Sequence, residues 1–210
     1  MNFDISLLVV KIPTLLFAIT IHEYAHGRVA YELGDPTAKQ MGRLTLNPIS
    51  HIDPLGAIAL FLFNFGWAKP VPVDPRYFKN IRRDTMLMAL AGPLANFAAA
   101  FAVGMLIRYF LFPIKLYQMA LVYLLFMNIG LGLFNLLPIP PLDGSHVLEN
   151  LLSYKAAQTY HEVGRYGPFI IFGIVMLDNF AHTGILNNLL LRPILLLAEF
   201  FAGPNLGYLI

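Results

Sequence analysis

The sequence predicts an all-α polytopic membrane protein. It has about five transmembrane helices, a short re-entrant segment and a small membrane-associated β-sheet between the first two spans. Three observations carry that expectation. Charged residues make up 12% of the chain and hydrophobic residues 58%, whereas a soluble domain carries roughly 25% charged residues. The apolar residues are gathered into long runs, several near the roughly 20 residues needed to cross a hydrocarbon core of about 30 Å. Seventeen Phe and ten Tyr supply aromatic surface suited to lipid and its interfaces. The lipid bilayer is therefore the expected partner. A net charge of +2 without a long basic run argues for no nucleic-acid partner. The 210 residues suit one domain, 1–210, without a separate soluble module.

The first apolar stretch runs from about Ile5 to Leu33. It is too long for the apolar part of a signal peptide, so it is expected to be retained as a span. Met86 to Leu111 and Tyr117 to Leu137 are the next spans, the latter ending in a proline cluster. Phe169 to Ala181 and Ile185 to Phe201 are shorter runs near crossing length. Leu55 to Phe65 is too short to cross and suits a re-entrant or interfacial piece packed on protein. The stretch from Gly34 to Val73 lacks helical periodicity. Its Pro70 and Pro72 donate no ladder hydrogen bond, so Val71 and Val73 suit an edge strand.

Positive charge sets the orientation. Seven of the fourteen Lys and Arg residues (Lys39, Arg43, Lys69, Arg76, Lys79, Arg82 and Arg83) fall between Gly34 and Thr85. The positive-inside rule places that segment in the cytoplasm. The turn after the third span, with Lys155 and Arg165 beyond it, then returns to the same side. The second half of span one and the proline-rich turn are delivered to similar depth.

That placement matters because span one contains His22-Glu23-Tyr24-Ala25-His26. Residues four apart share a helix face, so two imidazoles can grip one metal ion while Glu23 stands beside it as a proton acceptor. Ionisable groups inside a membrane cost roughly 2.5–3.5 kcal/mol each on the insertion scale unless they find partners or water. The plainer reading has the two histidines packed against neighbouring helices. Catalytic zinc usually takes three protein ligands and leaves one position open. Asp143, in Asn135-Leu-Leu-Pro-Ile-Pro-Pro-Leu-Asp143-Gly144, is a suitable oxygen ligand on the matching side. It could instead cap a helix starting near Ser145.

His51 and Asp53, in NPISHIDPLG, could supply a ligand, support one, line a water path with Asn47, or hydrogen-bond at the interface. His146, three residues beyond Asp143, could support it by hydrogen bonding. Asn96, in AGPLANF, needs an interhelical partner in lipid and serves either packing or the site. His161, His182, Asp178 and Glu199 lie in loops or near span ends and suggest no chemistry.

Three motifs in order, IHEYAH, AGPLAN and NLLPIPPLDG, resemble the site-2 protease family of intramembrane zinc metalloproteases, in a minimal form without an inserted binding domain. The resemblance covers roughly Phe17 to Glu149. The catalytic core is expected over about residues 5–150, and the hydropathy adds C-terminal helices over about 167–202. The resemblance implies that His22, His26 and Asp143 bind Zn2+, that Glu23 is the general base, and that Asn135 assists at the scissile carbonyl. The substrates would be transmembrane proteins cut within or near their membrane segments, at a site towards the cytoplasmic side. A strand in the Gly42 to Pro48 region could hold the unwound substrate by β-addition. Competing readings are an HExxH protease with Glu as third ligand, a metal-binding transporter, and a non-proteolytic membrane scaffold.

Overall fold

The computed structural model describes residues 5–63, 66–110, 113–181, 183–185 and 187–209. Its α-helices are α1 (Ile5–Glu32), α2 (Thr37–Gln40), α3 (Pro54–Phe63), α4 (Ile81–Tyr109), α5 (Lys115–Asn135), α6 (Asp143–Leu151), α7 (Tyr154–Gly164), α8 (Gly167–Ala181) and α9 (Arg192–Ala202). Four stretches among the described residues are long and apolar enough to cross a membrane: Leu8–Glu32, Ile81–Tyr109, Lys115–Asn135 and Asn188–Tyr208. The chain is a multi-pass membrane protein. The expected fifth crossing is the difference. The 15 residues of α8 rise only about 22 Å at 1.5 Å per residue, short of the roughly 30 Å core.

The predicted β-sheet is absent. Among the described residues there is no strand, only an isolated antiparallel bridge between Ile52 and Ala68. Backbone donors in this region go elsewhere. Lys69 N–H donates to the His51 carbonyl at 3.0 Å, Val71 N–H donates to the Glu23 carboxylate at 2.8 Å, and Pro70 and Pro72 have no N–H to give. Residues 41–47 form turns and bends, so the strand expected to receive substrate there does not exist. The segment is instead held by side chains. Arg43 donates to the carbonyls of Lys69 and Pro70, and the buried Asp35 accepts from Thr37 N–H and Asp74 N–H. The piece expected to be re-entrant or interfacial is the helix α3. One face, with Gly56, lies against the Trp67 backbone, while Leu55, Ile58 and Leu62 stay exposed, as suits a helix apolar on all sides in a lipid environment.

Helix ends follow local chemistry. α1 stops where Gly34 takes φ +112°, a conformation open to glycine, and Asp35 N–H closes back on the Ala30 carbonyl at 2.9 Å. The Asn80 side chain caps α4 by accepting from Arg83 N–H, while Asp84 reaches back to Asn80 N–H, which satisfies donors the helix itself leaves open.

α4 is the central helix. α1 lies along α4 and α5, α6 packs on α4, and α9 closes against α4 and α5. Ala100, Val103 and Ile107 of α4, Leu125 and Ile129 of α5, and Ala198 and Ala202 of α9 form one apolar core with Leu206. One turn of α4 before that core, the interior becomes polar.

Candidate metal centre

Helix α1 contributes His22 and His26, four residues apart and both buried. α4 faces them with Met88, Gly92 and Asn96, also at helical spacing. α6 contributes Asp143, its first residue. Asp143 does not cap its helix: Leu142 is the cap residue, with no side-chain bond there. The carboxylate turns to the imidazoles. His22 Nε2 lies 3.0 Å and His26 Nε2 3.3 Å from Asp143 Oδ2, and the two Nε2 atoms are 3.0 Å apart. These separations are comparable with the roughly 3.3 Å edge of a tetrahedron built on bonds of about 2.0–2.1 Å.

Hydrogen accounting shows why three such atoms meet. Asn96 Nδ2 donates to the Ala18 carbonyl at 3.0 Å, so its Oδ1 is the atom 2.6 Å from His22 Nδ1. His22 Nδ1 is therefore the protonated nitrogen. His26 Nδ1 donates to the Met88 carbonyl at 2.8 Å. Both neutral rings thus present a bare Nε2. Asp143 Oδ2 is buried and receives no hydrogen bond. With both rings neutral, three lone-pair atoms point at one spot, and protonating both rings would set two cations 3.0 Å apart. A shared cation satisfies all three, and two imidazole nitrogens with a carboxylate oxygen suit zinc.

Two glycines make the space. A Cβ on Gly92 would stand 2.6 Å from His22 Nε2 and closer still to His26 Nε2, inside the volume an ion would take. A Cβ on Gly144 would strike the Leu136 carbonyl and lie 2.7 Å from that of Leu137, so glycine lets the start of α6 press against the end of α5 and fixes Asp143 in depth.

The other predicted residues divide. Glu23 is beside the centre, with its Oε2 held by Val71 N–H. Asn96 supports His22. Asn135, at the end of α5, donates its amide to its own helix at the Leu131 carbonyl, 3.0 Å away. His51 is buried but outside the ligand group, donating from Nε2 to the Thr45 carbonyl at 2.9 Å. Asp53 caps α3 by accepting from Gly56 N–H at 2.8 Å, while Asn47 caps a 3-10 turn. These bonds make the NPISHID segment a scaffold. His146 is exposed on α6, and His161 pairs with Glu149 at 3.4 Å. His182 lies outside the described residues. The Val71 amide and the buried Asn128 were not foreseen. An asparagine inside an apolar run was the available signal for Asn128; a backbone amide leaves none.

The family model described as Peptidase family M50 matches residues 112–177. YwhC of Bacillus subtilis, named as a zinc metalloprotease, is 39% identical over 197 residues, covering 88% of this chain and 89% of that protein. The chain belongs to peptidase family M50. It is a zinc metalloprotease of the site-2 protease type, as its motifs suggested. Rip2 of Mycobacterium tuberculosis is 34% identical over 148 residues, 67% of this chain and 56% of that protein. MJ0611 of Methanocaldococcus jannaschii is 30% identical over 148 residues, 70% and 73% of the two chains. Both also carry zinc metalloprotease names. No solved structure matches.

Proposed function

We propose that this metalloprotease hydrolyses peptide bonds within or near the membrane-spanning segments of other membrane proteins, at a site towards the cytoplasmic side. His22, His26 and Asp143 hold Zn2+ in this reading. The observation that carries it is the meeting of two imidazole nitrogens, on a helix long and apolar enough to cross a membrane, with a buried carboxylate oxygen that has no hydrogen-bond partner. Orientation is supported by the basic residues between α1 and α4.

Zinc held by these residues would supply Lewis-acid polarisation of the scissile carbonyl and would acidify a water molecule towards neutral pH. Glu23 is placed to accept a proton from the attacking water and return it to the departing amine. The Val71 amide occupies Glu23 Oε2, which holds the carboxylate in place and leaves Oε1 for the proton. Asn135 exchanges its Leu131 carbonyl for the developing oxyanion, a contact worth roughly 3–4 kcal/mol where one such donor has been removed elsewhere.

The test is zinc content and cleavage of a transmembrane-peptide panel by the full chain in detergent. Wild type retains zinc and cuts. Glu23→Gln retains zinc and loses at least about 100-fold in rate, the smaller end of a general base's contribution. Asp143→Ala loses zinc. Undiminished cutting by Glu23→Gln, or cutting confined to soluble peptides, overturns the proposal.

A further inference from the structure

The bonds of Asn96 continue past the metal centre. Its Nδ2 also donates to Asn128 Oδ1 at 2.9 Å, and Asn128 Nδ2 donates to the Leu124 carbonyl of its own helix at 2.8 Å. Asn96 and Asn128 are both fully buried. A backbone carbonyl only accepts, so Leu124 fixes the direction of every bond that follows. Asn128 must turn its NH2 to Leu124 and its oxygen to Asn96. Asn96 must then turn its NH2 towards Asn128 and Ala18, and its oxygen to His22. His22 Nδ1 must carry hydrogen, and Nε2 is left bare.

We infer that Asn128 is a positioning residue for the metal centre: it acts through Asn96 to hold His22 in the tautomer that binds the ion. This inference rests on the ligand assignment proposed above. The energetics favour it. In the observed orientation Asn96 makes three bonds. Reversed, it would keep one, to His22, and set its oxygen against the Ala18 carbonyl and Asn128 Oδ1. Buried polar groups left without partners are costly, and a half-satisfied network is costlier than an apolar one. Without Asn128 one Asn96 N–H has no acceptor, and the reversed orientation loses one of its two repulsive contacts. The ring that should present a lone pair is then held less firmly. Asn128 sits on α5, so three spanning helices and α6 define the centre.

The experiment is zinc affinity by chelator competition on the full chain in detergent, alongside its unfolding midpoint. Asn128→Leu, close in size, is expected to weaken zinc binding about tenfold, the lower end of the range for outer partners of a ligand. Asn128→Asp, neutral in this buried position, accepts from Asn96 and donates to Leu124, and is expected to recover to within about threefold of wild type. Leu125→Ala, one residue away in the apolar core, removes packing without touching the relay and should bind zinc as wild type does. Equal affinity in wild type and Asn128→Leu overturns the inference. So does Asn128→Asp as weak as Asn128→Leu, or Leu125→Ala as weak as either, because packing would then explain the loss. If Asn128→Leu does not insert, Asn128→Ala carries the same outcomes. A wild type that binds no zinc breaks the ligand assignment itself, while bound zinc unaffected by Asn128 breaks only this relay.

Discussion

Helix α4 shows its interior two different neighbourhoods. From Met88 to Asn96 it meets imidazoles, a carboxylate and amides; from Ala100 to Ile107 it meets Leu125, Ile129, Ala198 and Ala202. In the first stretch each buried polar atom has a directed partner, except the three that converge. In the second, contact is by shape alone. A buried polar atom left without its partner in the first stretch is costly, so its residues are fixed by chemistry and not only by volume.

Equivalent substitutions in the two stretches should therefore fail in different ways. The largest effect is expected from Gly92→Ala, whose methyl enters the ligand space: zinc content by elemental analysis should fall to near zero with the helices still formed. Gly104→Ala is its counterpart. The methyl would meet Phe201, at 2.5 Å from its Cβ and 2.9 Å from its carbonyl carbon, so the unfolding midpoint should drop while zinc stays bound. Loss of zinc from both would erase the distinction. Next comes Leu125→Ala, expected to cost about 2 kcal/mol in stability, the lower end for a buried leucine, with metal content unchanged.

Val71→Pro tests a smaller piece of the polar stretch. It removes the amide that holds Glu23, a hydrogen bond to a charged group worth roughly 1.5–3 kcal/mol. Turnover should fall about tenfold with zinc retained, while Val71→Ala keeps the amide and stays close to wild type. Equal loss in both would reduce Val71 to a packing residue. The smallest effect lies outside both stretches. The exposed Arg76 beside half-buried Asp74 holds that carboxyl below the ordinary carboxylate range. A lowered folded value favours folding above the unfolded value and is lost as pH falls through the folded one. Arg76→Ala should raise the Asp74 titration midpoint by NMR and leave the unfolding midpoint at neutral pH almost unmoved, since a pair whose cation is exposed to solvent contributes little.

The contrast also explains what the sequence made legible. His22 and His26 declare themselves because helical periodicity converts an offset of four into a shared face. The placement of Asp143 beside them follows from topology that brings the proline turn to the same depth. Asn128 stays hidden because nothing in LVYLLFMNIGLGLFN links it to Asn96, 32 residues earlier; that link exists only once α4 and α5 pack. The misjudged sheet has a related cause. Alternating valines and prolines suit an extended chain, but extension is not pairing, and the one amide between Pro70 and Pro72 is taken by a carboxylate from span one. The fifth crossing was overcounted because hydropathy measures apolar content, whereas spanning requires length.

His22 and Asp143 stand 121 positions apart (143 − 22), and Gly144 ties the second of them to the end of α5. At roughly 5–20 residues per second, a ribosome needs roughly 6–24 s to travel between them. On the ligand assignment proposed above, the growing polypeptide carries for that interval two of its three ligands and no hydrolytic power, a blade sheathed by its own incompleteness.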